Sequence, residues 1–411
     1  MKKVNQLLDS QQRRVQPIFV SSYIPRKCGI ATFTKDLTNA MNDLNPDGIA
    51  EIIAVDPLDE TFVYPTEVKS KIGKFDLASY DEAAQIINAS DAEVLCLQHE
   101  YGLYGTVDPD HFVGEYIIRM LRQVDKPIIT TLHTILEHPL PAHRALMEEI
   151  SNLSDIMITM MPSAKERLES VYGINPDRVV VIHHGVADRP RARKQNKKQF
   201  GWEEKKVLLM SGLMSPGKGM EYVIEALPEI VKQCPEAIFV IVGQTHPDVL
   251  KRHGEAYRES LTSKAKALGV ADHLVYVNEY LPLDVLLDYY EACDIYLTPH
   301  LDPQQVASGT LAYALGMGKA CISTKYIYAS EMLKDGRGVL VDFKNSEQIA
   351  EAALHILMNP SFQNEMERKA YALGRKMSWP RVAERYLNLF RLTLDAQDEV
   401  MAEFKRSKLL V

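Results

Sequence analysis

Five short segments of this 411-residue chain bring together the residue types that bind anions and handle charge: glycines, small hydroxyls, imidazoles and an amine. One is Ser211-Gly212-Leu213-Met214-Ser215-Pro216-Gly217-Lys218-Gly219, directly after the apolar run Val207-Leu208-Leu209-Met210. A lysine flanked by glycines at a helix start meets a phosphate with its ammonium and with nearby backbone amides. The pattern GxxxxGK[ST] requires Ser or Thr after the lysine, and Gly219 stands there, so Mg-dependent nucleotide hydrolysis loses its main support. An ordinary solvated loop is the plain alternative. A second segment runs from Thr298 through Pro299-His300-Leu301-Asp302-Pro303-Gln304-Gln305-Val306-Ala307 to Ser308-Gly309-Thr310 and opens a helical stretch at Leu311. Amides at a helix start hold a diphosphate without a metal, and the same small residues also serve as an N-cap.

Three more segments lie in the first half. In Ser21-Ser22-Tyr23-Ile24-Pro25-Arg26-Lys27-Cys28-Gly29-Ile30-Ala31-Thr32-Phe33, Gly29 lets backbone approach a ligand at a helix start, although a plain turn fits one glycine equally well. This is not GxGxxG, so the dinucleotide fingerprint is absent. Leu97-Gln98-His99-Glu100-Tyr101-Gly102 and Thr130-Thr131-Leu132-His133-Thr134 each set an imidazole just past an apolar run. One such histidine is as readily structural as functional; two clusters make His133 a candidate. HEYG lacks the second His of HExxH, and no metal-ligand set stands out.

The elements that must carry these segments follow from hydrophobic period. Short β-branched runs alternate with longer helical-period stretches almost from end to end, the pattern of parallel sheets built from βαβ units. The first series includes 17–20, 51–55, 93–97, 127–131, 156–159 and 179–182; the second includes 207–210, 237–242, 274–277, 294–297, 320–323 and 338–341. These runs are apolar on both faces, as strands covered by helices on each side must be. The expected division is an N-terminal Rossmann-like domain over 1–188, a polar, basic linker over 189–206 and a C-terminal Rossmann-like domain over 207–378. Ligands in such sheets bind at the carboxyl ends of strands, where all five segments fall.

Composition bounds the function. With 47 Lys+Arg against 55 Asp+Glu the net charge is −8, which argues against a surface devoted to nucleic acid. Cys28, Cys96, Cys234, Cys293 and Cys321 show no CxxC spacing, and a reducing, cytoplasmic location is the simplest reading. The start lacks the apolar core of a secretory signal, and no apolar stretch approaches a membrane span. The basic tail Phe404–Val411 leaves weak peripheral contact with anionic lipid open, although such tails are more often solvated. Oligomeric state is not legible.

Taken in order, GLMSPGKGMEYVIEAL and SGTLAYALGMGKACIST resemble the nucleotide-sugar site of retaining GT-B glycosyltransferases, specifically the large fourth family (group 1) that contains sucrose synthases and many bacterial mannosyl- and glucosyltransferases. CGIATF, TTLHT, VIHHGV, AIFVIVG, ACDIYLTP and MSWPRVAERYLNLF extend the resemblance over nearly the whole chain. It implies two doubly wound Rossmann-like domains facing across a cleft, with a final helix over 379–411 returning to the first. It also implies an acceptor site on domain one, a nucleotide-sugar site on domain two, and metal-independent transfer of a hexose with retention to a carbohydrate or other hydroxyl acceptor. No cofactor is implied beyond the nucleoside diphosphate sugar, with GDP-mannose and UDP-glucose the first donors to try.

By the same resemblance Gly212 and Lys218 sit at the donor, Ser308, Gly309 and Thr310 form the amide cradle, His133 lies near the transferred sugar, and Gly29 near acceptor and phosphate. Three positions depart from the family. Leu213 stands where an arginine is usual, leaving Arg26 or Lys27 as candidates to replace it. Gln305 and Tyr313 stand where two glutamates are usual. Gln305 can hydrogen-bond sugar hydroxyls without an anion's charge, Tyr313 takes the place of a ribose contact, and Glu331 falls near another acidic position. A branch of the family carries the Gln form with SGTLAYALG, so the changes read as a subfamily signature. A catalytically silent nucleotide-sugar-binding regulator remains the main alternative, followed by another GT-B activity, an epimerase or a phosphorylase.

Overall fold

The computed structural model describes residues 13–57, 60, 62–106, 113–189 and 191–408, with backbone alone for 400–408. The chain divides into two units, Met1–Gly185 with Trp379–Val411, and Val186–Ser378. In the first, seven parallel strands run β1 (Pro17–Ser21), β2 (Glu51–Asp56), β3 (Val68–Gly73), β4 (Val94–His99), β5 (Ile128–Leu132), β6 (Ile156–Thr159) and β7 (Val179–Val181), in the spatial order 3-2-1-4-5-6-7. Helices α1 (Gly29–Leu44), α2 (Leu77–Ala89), α3 (Tyr116–Leu121), α4 (Pro141–Leu153) and α5 (Pro162–Tyr172) connect them. Every residue of β1, β4 and β5 is buried, as expected for strands covered on both faces. Sequence period overlooks β3: it is the sheet's edge strand, and its VKSKIG sequence leaves both lysines partly solvated. Lysine on an exposed edge blocks pairing with other chains, and it also erases the apolar run that marks a strand.

In the second unit, β8 (Lys206–Ser211), β9 (Ala237–Val242), β10 (Leu274–Val277), β11 (Ile295–Thr298), β12 (Ala320–Thr324) and β13 (Val339–Val341) form a parallel sheet ordered 10-9-8-11-12-13. Around it lie α6 (Arg193–Gln199), α7 (Met220–Gln233), α8 (Pro247–His253), α9 (Ala256–Ala267), α10 (Leu283–Ala292), α11 (Gly309–Gly316), α12 (Ile327–Met332), α13 (Ser346–Met358) and α14 (Pro360–Lys376). Val223, Ile224, Leu227 and Ile230 recur at helical spacing on α7 and pack in one core with Leu208, Phe239 and Ile241 of the sheet and Ile349, Ala353 and Ile356 of α13.

The run 189–206, expected as a linker, is instead part of the second unit. Its residues 193–199 form α6, Lys197 donates to Asp294 at 2.6 Å with both side chains about nine-tenths buried, and Arg193 pairs with Glu367 at 2.6 Å. Those bases answer buried acids far along the chain, which is why the run looks like solvated charge in sequence. The unit begins earlier than expected, too: the Val186 amide donates to the Met377 carbonyl at 2.8 Å.

The last helix, α15 (Trp379–Lys408), belongs to the first unit and packs on α1. Phe390 meets Phe19 edge-on at 6.4 Å, and the Tyr386 hydroxyl lies 3.1 Å from that of Thr131. The tail side chains over 404–411 lie outside the described residues. Among the described residues no helix is long and apolar enough to cross a membrane. In each sheet the order reverses between two neighbouring strands, β1 and β4 in one and β8 and β11 in the other, and the crevice this opens at the strand ends is where ligands of such folds settle.

Candidate functional site

The second unit places its two candidate loops side by side at its reversal point. Gly219, at φ +69°, lies so close to the 299–301 backbone that a Cβ there would come within 2.1 Å of the Pro299 carbonyl oxygen, and the Leu301 amide donates to the Gly217 carbonyl at 3.0 Å. Gly212, at φ +110°, sits where a Cβ would touch the Thr310 methyl at 3.5 Å. Both glycines therefore occupy backbone that other residues adopt only with strain. Beneath them a buried hydroxyl network ties strand to helix: Ser211 Oγ lies 2.5 Å from the Tyr290 hydroxyl and 3.1 Å from that of Tyr296, and Tyr290 donates to the Thr310 carbonyl at 3.1 Å.

Ser308 caps α11, accepting from the Leu311 amide at 3.3 Å, while Gly309 and Thr310 stand in the first turn, partly exposed. First-turn amides have no acceptor within their own helix and carry the positive end of its dipole. Lys218 closes the neighbouring turn, half-buried, and among the described residues its ammonium has no carboxylate partner. Burial lowers its pKa below that of a free lysine. A cation without a carboxylate partner and helix-start amides without intrahelical acceptors are each groups that attract an anion.

Gln305 does not present its amide to this space. Its Nε2 donates to the Ala307 carbonyl at 2.8 Å and its Oε1 lies 3.0 Å from His300 Nδ1. His300, only 2% exposed, stacks on Tyr326 at 5.3 Å; burial first and the Lys218 charge second hold its pKa at about 3. Sequence reasoning quoted His300 without giving it a role, although its place one residue past a strand-end Thr-Pro matched the signal used for His133. Tyr313 is buried in α11 with its ring edge-on to Tyr290 at 6.2 Å. Glu331, in α12, is partly exposed with its charge beside the buried Tyr328 phenol, and its backbone carbonyl accepts from Arg337 at 3.3 Å.

The first unit gathers a second cluster at its own reversal point. Register pairs His99 of β4 with Leu132 of β5, so Gln98, His99, Glu100, His133 and Thr134 share one edge. His133 Nε2 lies 2.8 Å from Gln98 Oε1, and Phe33 of α1 meets the rings of His133 and His184 at 5.1 Å each and of Trp379 at 5.4 Å. Burial first, then His184 and His99, holds His133 at a pKa of about 3; burial likewise takes His99 to about 3 and His184 to about 4. These imidazoles are neutral at physiological pH. The Glu100 carboxyl accepts the Thr134 hydroxyl, and burial pushes its pKa up. Gly29 opens α1 exposed, with nothing within 4 Å of a Cβ position and no side-chain cap from Cys28. Arg26 donates to the Val55 carbonyl at 3.1 Å. Among the described residues no group of three His, Cys, Asp or Glu side chains is placed to hold a metal ion.

Comparison with known proteins adds family and fold. Residues 66–189 match the family described as Glycosyltransferase Family 4, and residues 192–373 match Glycosyl transferases group 1. The D-inositol 3-phosphate glycosyltransferase of a Nocardioides species is 25% identical over 290 residues, covering 64% of this chain and 62% of that protein. The GDP-mannose-dependent alpha-(1-6)-phosphatidylinositol monomannoside mannosyltransferase of Mycolicibacterium smegmatis is 26% identical over 250 residues, covering 57% and 59%. The matched stretch thus spans about six-tenths of each relative. Among solved structures, Anabaena HepE in complex with UDP superposes with TM-score 0.69 at 15% identity, covering 90% of this chain and 98% of that one. Sucrose-phosphate synthase from Thermosynechococcus elongatus does so with TM-score 0.71 at 14% identity, covering 93% and 100%. These likenesses share the GT-B fold, two Rossmann-like domains each built on a parallel sheet. With adjoining matches from residue 66 to residue 373, the chain belongs to the group 1, family 4 glycosyltransferases.

Proposed function

We propose that this protein transfers a hexose from a nucleoside diphosphate sugar to a carbohydrate or other hydroxyl acceptor, with retention of anomeric configuration and without a metal. The observation that carries the reading is Lys218, a half-buried ammonium with no carboxylate partner among the described residues, on the loop whose Gly212 lies against Thr310 in the open first turn of α11. When a glycosyl group departs, charge grows on the diphosphate, and Lys218 with the Gly309 and Thr310 amides stabilises it there more than in the ground state. Gly212 leaves the backbone open above Thr310, Tyr313 and Glu331 flank the nucleotide, and on the first unit the neutral His133 offers a hydrogen bond to a sugar hydroxyl. The Gln and Tyr at the positions of the usual glutamates define a branch of the family. Similar proteins named for GDP-mannose or crystallised with UDP-glucose make those two donors the first to test.

The experiment incubates EDTA-treated protein with UDP-glucose or GDP-mannose and a panel of polyol and glycoside acceptors, and follows nucleoside diphosphate release and product anomer. Acceptor-dependent release with retention is expected. Lys218→Ala should lower kcat/KM by about 100-fold or more while leaving the melting temperature unchanged. Turnover that requires a divalent cation, or a Lys218→Ala protein as active as the parent, contradicts the assignment. One observation favours a second reading: no carboxylate stands at position 305 or 313, so donor binding without turnover under any acceptor identifies a regulatory binder.

A further inference from the structure

His300 received no role above, yet the bonds around it determine what it can offer a ligand. Gln305 fixes the logic. Its amide Nε2 must be the atom facing the Ala307 carbonyl at 2.8 Å, because a carbonyl only accepts. The Gln305 oxygen is then the atom 3.0 Å from His300 Nδ1, and since that oxygen only accepts as well, Nδ1 must carry the proton. A neutral imidazole has one proton to place. Nε2 is therefore a bare lone pair, and among the described residues it has no hydrogen-bond partner.

The ring cannot turn away from this arrangement. It is 2% exposed, stacked within 15° of parallel on Tyr326, and its own carbonyl accepts from Thr324 Oγ1 at 2.5 Å. The groups that face it are the Gln305 amide on its own loop, the Tyr326 ring at the start of α12, and the Lys218 ammonium from the turn before α7. That ammonium also keeps the ring from taking a second proton, so the lone pair persists throughout the neutral range. A lone pair repels phosphate oxygens and accepts from hydroxyl groups. An acceptor of this kind within the field of the phosphate-binding lysine suits a ligand whose hydroxyls lie beside its diphosphate.

We infer that His300 Nε2 accepts a hydrogen bond from a hydroxyl of the glycosyl ring of the bound donor, and that Gln305 is a positioning residue that fixes the His300 tautomer and does not itself touch the sugar. The inference rests on the donor-site reading above. It assigns the sugar contact of this loop to a residue five positions earlier than the family alignment does.

The test compares titration calorimetry of UDP with UDP-glucose, and of GDP with GDP-mannose, on the parent protein, His300→Phe and Gln305→Glu. Phenylalanine keeps the stacking on Tyr326 and removes both nitrogens. Its affinity for the free nucleotide is expected to stay within about twofold of the parent, while affinity for the nucleotide sugar falls about tenfold, the measure of one lost hydrogen bond. Unchanged nucleotide-sugar affinity, or an equal loss for nucleotide and nucleotide sugar, overturns the inference; the equal loss marks a ribose contact or a purely structural ring.

Gln305→Glu tests the positioning role and decides the matter should His300→Phe not fold. A carboxylate beside Nδ1 stabilises the imidazolium and raises the His300 pKa. The variant's nucleotide-sugar affinity is therefore expected to fall as pH drops from 8 toward 5.5, while the parent's stays flat and nucleotide affinity follows the same course in both. A Gln305→Glu profile as flat as the parent's overturns the positioning role. If the parent binds neither UDP nor GDP, the donor-site reading fails first, and that failure is visible before any variant is compared.

Discussion

A side chain's chemistry depends on which of its atoms its neighbours have already engaged. Gln305, assigned to the sugar by resemblance, spends both ends of its amide on His300 and Ala307, whereas among the described residues Lys218 has no carboxylate to pair with. The lysine was legible in sequence because glycines on both sides of a cation in a strand-to-helix turn leave few other uses. The His300 to Gln305 bond was not legible, because its geometry depends on the path of a loop between them that no periodicity describes. Gly219 offers a sharp test at this scale. Gly219→Val forces a β-branched residue into φ +69° and drives its Cβ against the Pro299 carbonyl. It is expected to destabilise the second unit by about 2–4 kcal/mol in denaturant titrations and to weaken nucleotide binding by displacing Lys218; an unchanged midpoint would falsify the packing described for these loops.

At the scale of elements, strands buried on both faces announced themselves and strands at an edge did not. β1 and β4 are largely apolar runs, while β3 sets Lys69 and Lys71 between Val68, Ser70 and Ile72, as an edge strand paired on one side can. The stretch 189–206 misleads for a related reason. Charge in sequence reads as solvation, but Lys197 pairs with Asp294, 97 positions away, and no local pattern reports such a partner. Removing Lys197 leaves a buried carboxylate uncompensated, so Lys197→Met is expected to cost the second unit about 3–5 kcal/mol, against less than about 0.5 kcal/mol for the exposed Lys194→Ala. Equal, small effects measured by urea titration would return the run to the status of a linker.

For the molecule as a whole, buried imidazoles govern how each unit meets acid, with His300 held at a pKa of about 3 in the second. In the first, His99, His133 and His184 are held neutral with pKa values of about 3, 3 and 4, whereas in an unfolded chain histidine titrates near 6.5. Between those values the unfolded state binds protons that the native state refuses, so stability is full above about pH 6.5 and falls as pH drops toward 4. Glu100, with its pKa raised by burial, opposes this, one carboxyl against three imidazoles. The chain has two tryptophans, Trp202 in the second unit and Trp379 in the first. In a Trp202→Phe protein, Trp379 fluorescence is expected to report a denaturation midpoint that declines steadily from pH 7 to pH 5. A flat midpoint would show that the histidines are not held neutral.

The central claim is that a nucleoside diphosphate sugar seats its diphosphate on Lys218 and the start of α11. Hydrogen exchange resolved along the chain, with and without saturating UDP-glucose and GDP-mannose in EDTA, addresses it most directly, because a bound ligand slows exchange at the amides it contacts and adds about 3 kcal/mol of stability at a hundred times its dissociation constant. Slowed exchange concentrated in 212–219 and 299–316 with one of the two donors, and lost in Lys218→Ala, is the predicted result. Protection that bypasses both loops, or that survives intact in Lys218→Ala, contradicts the account.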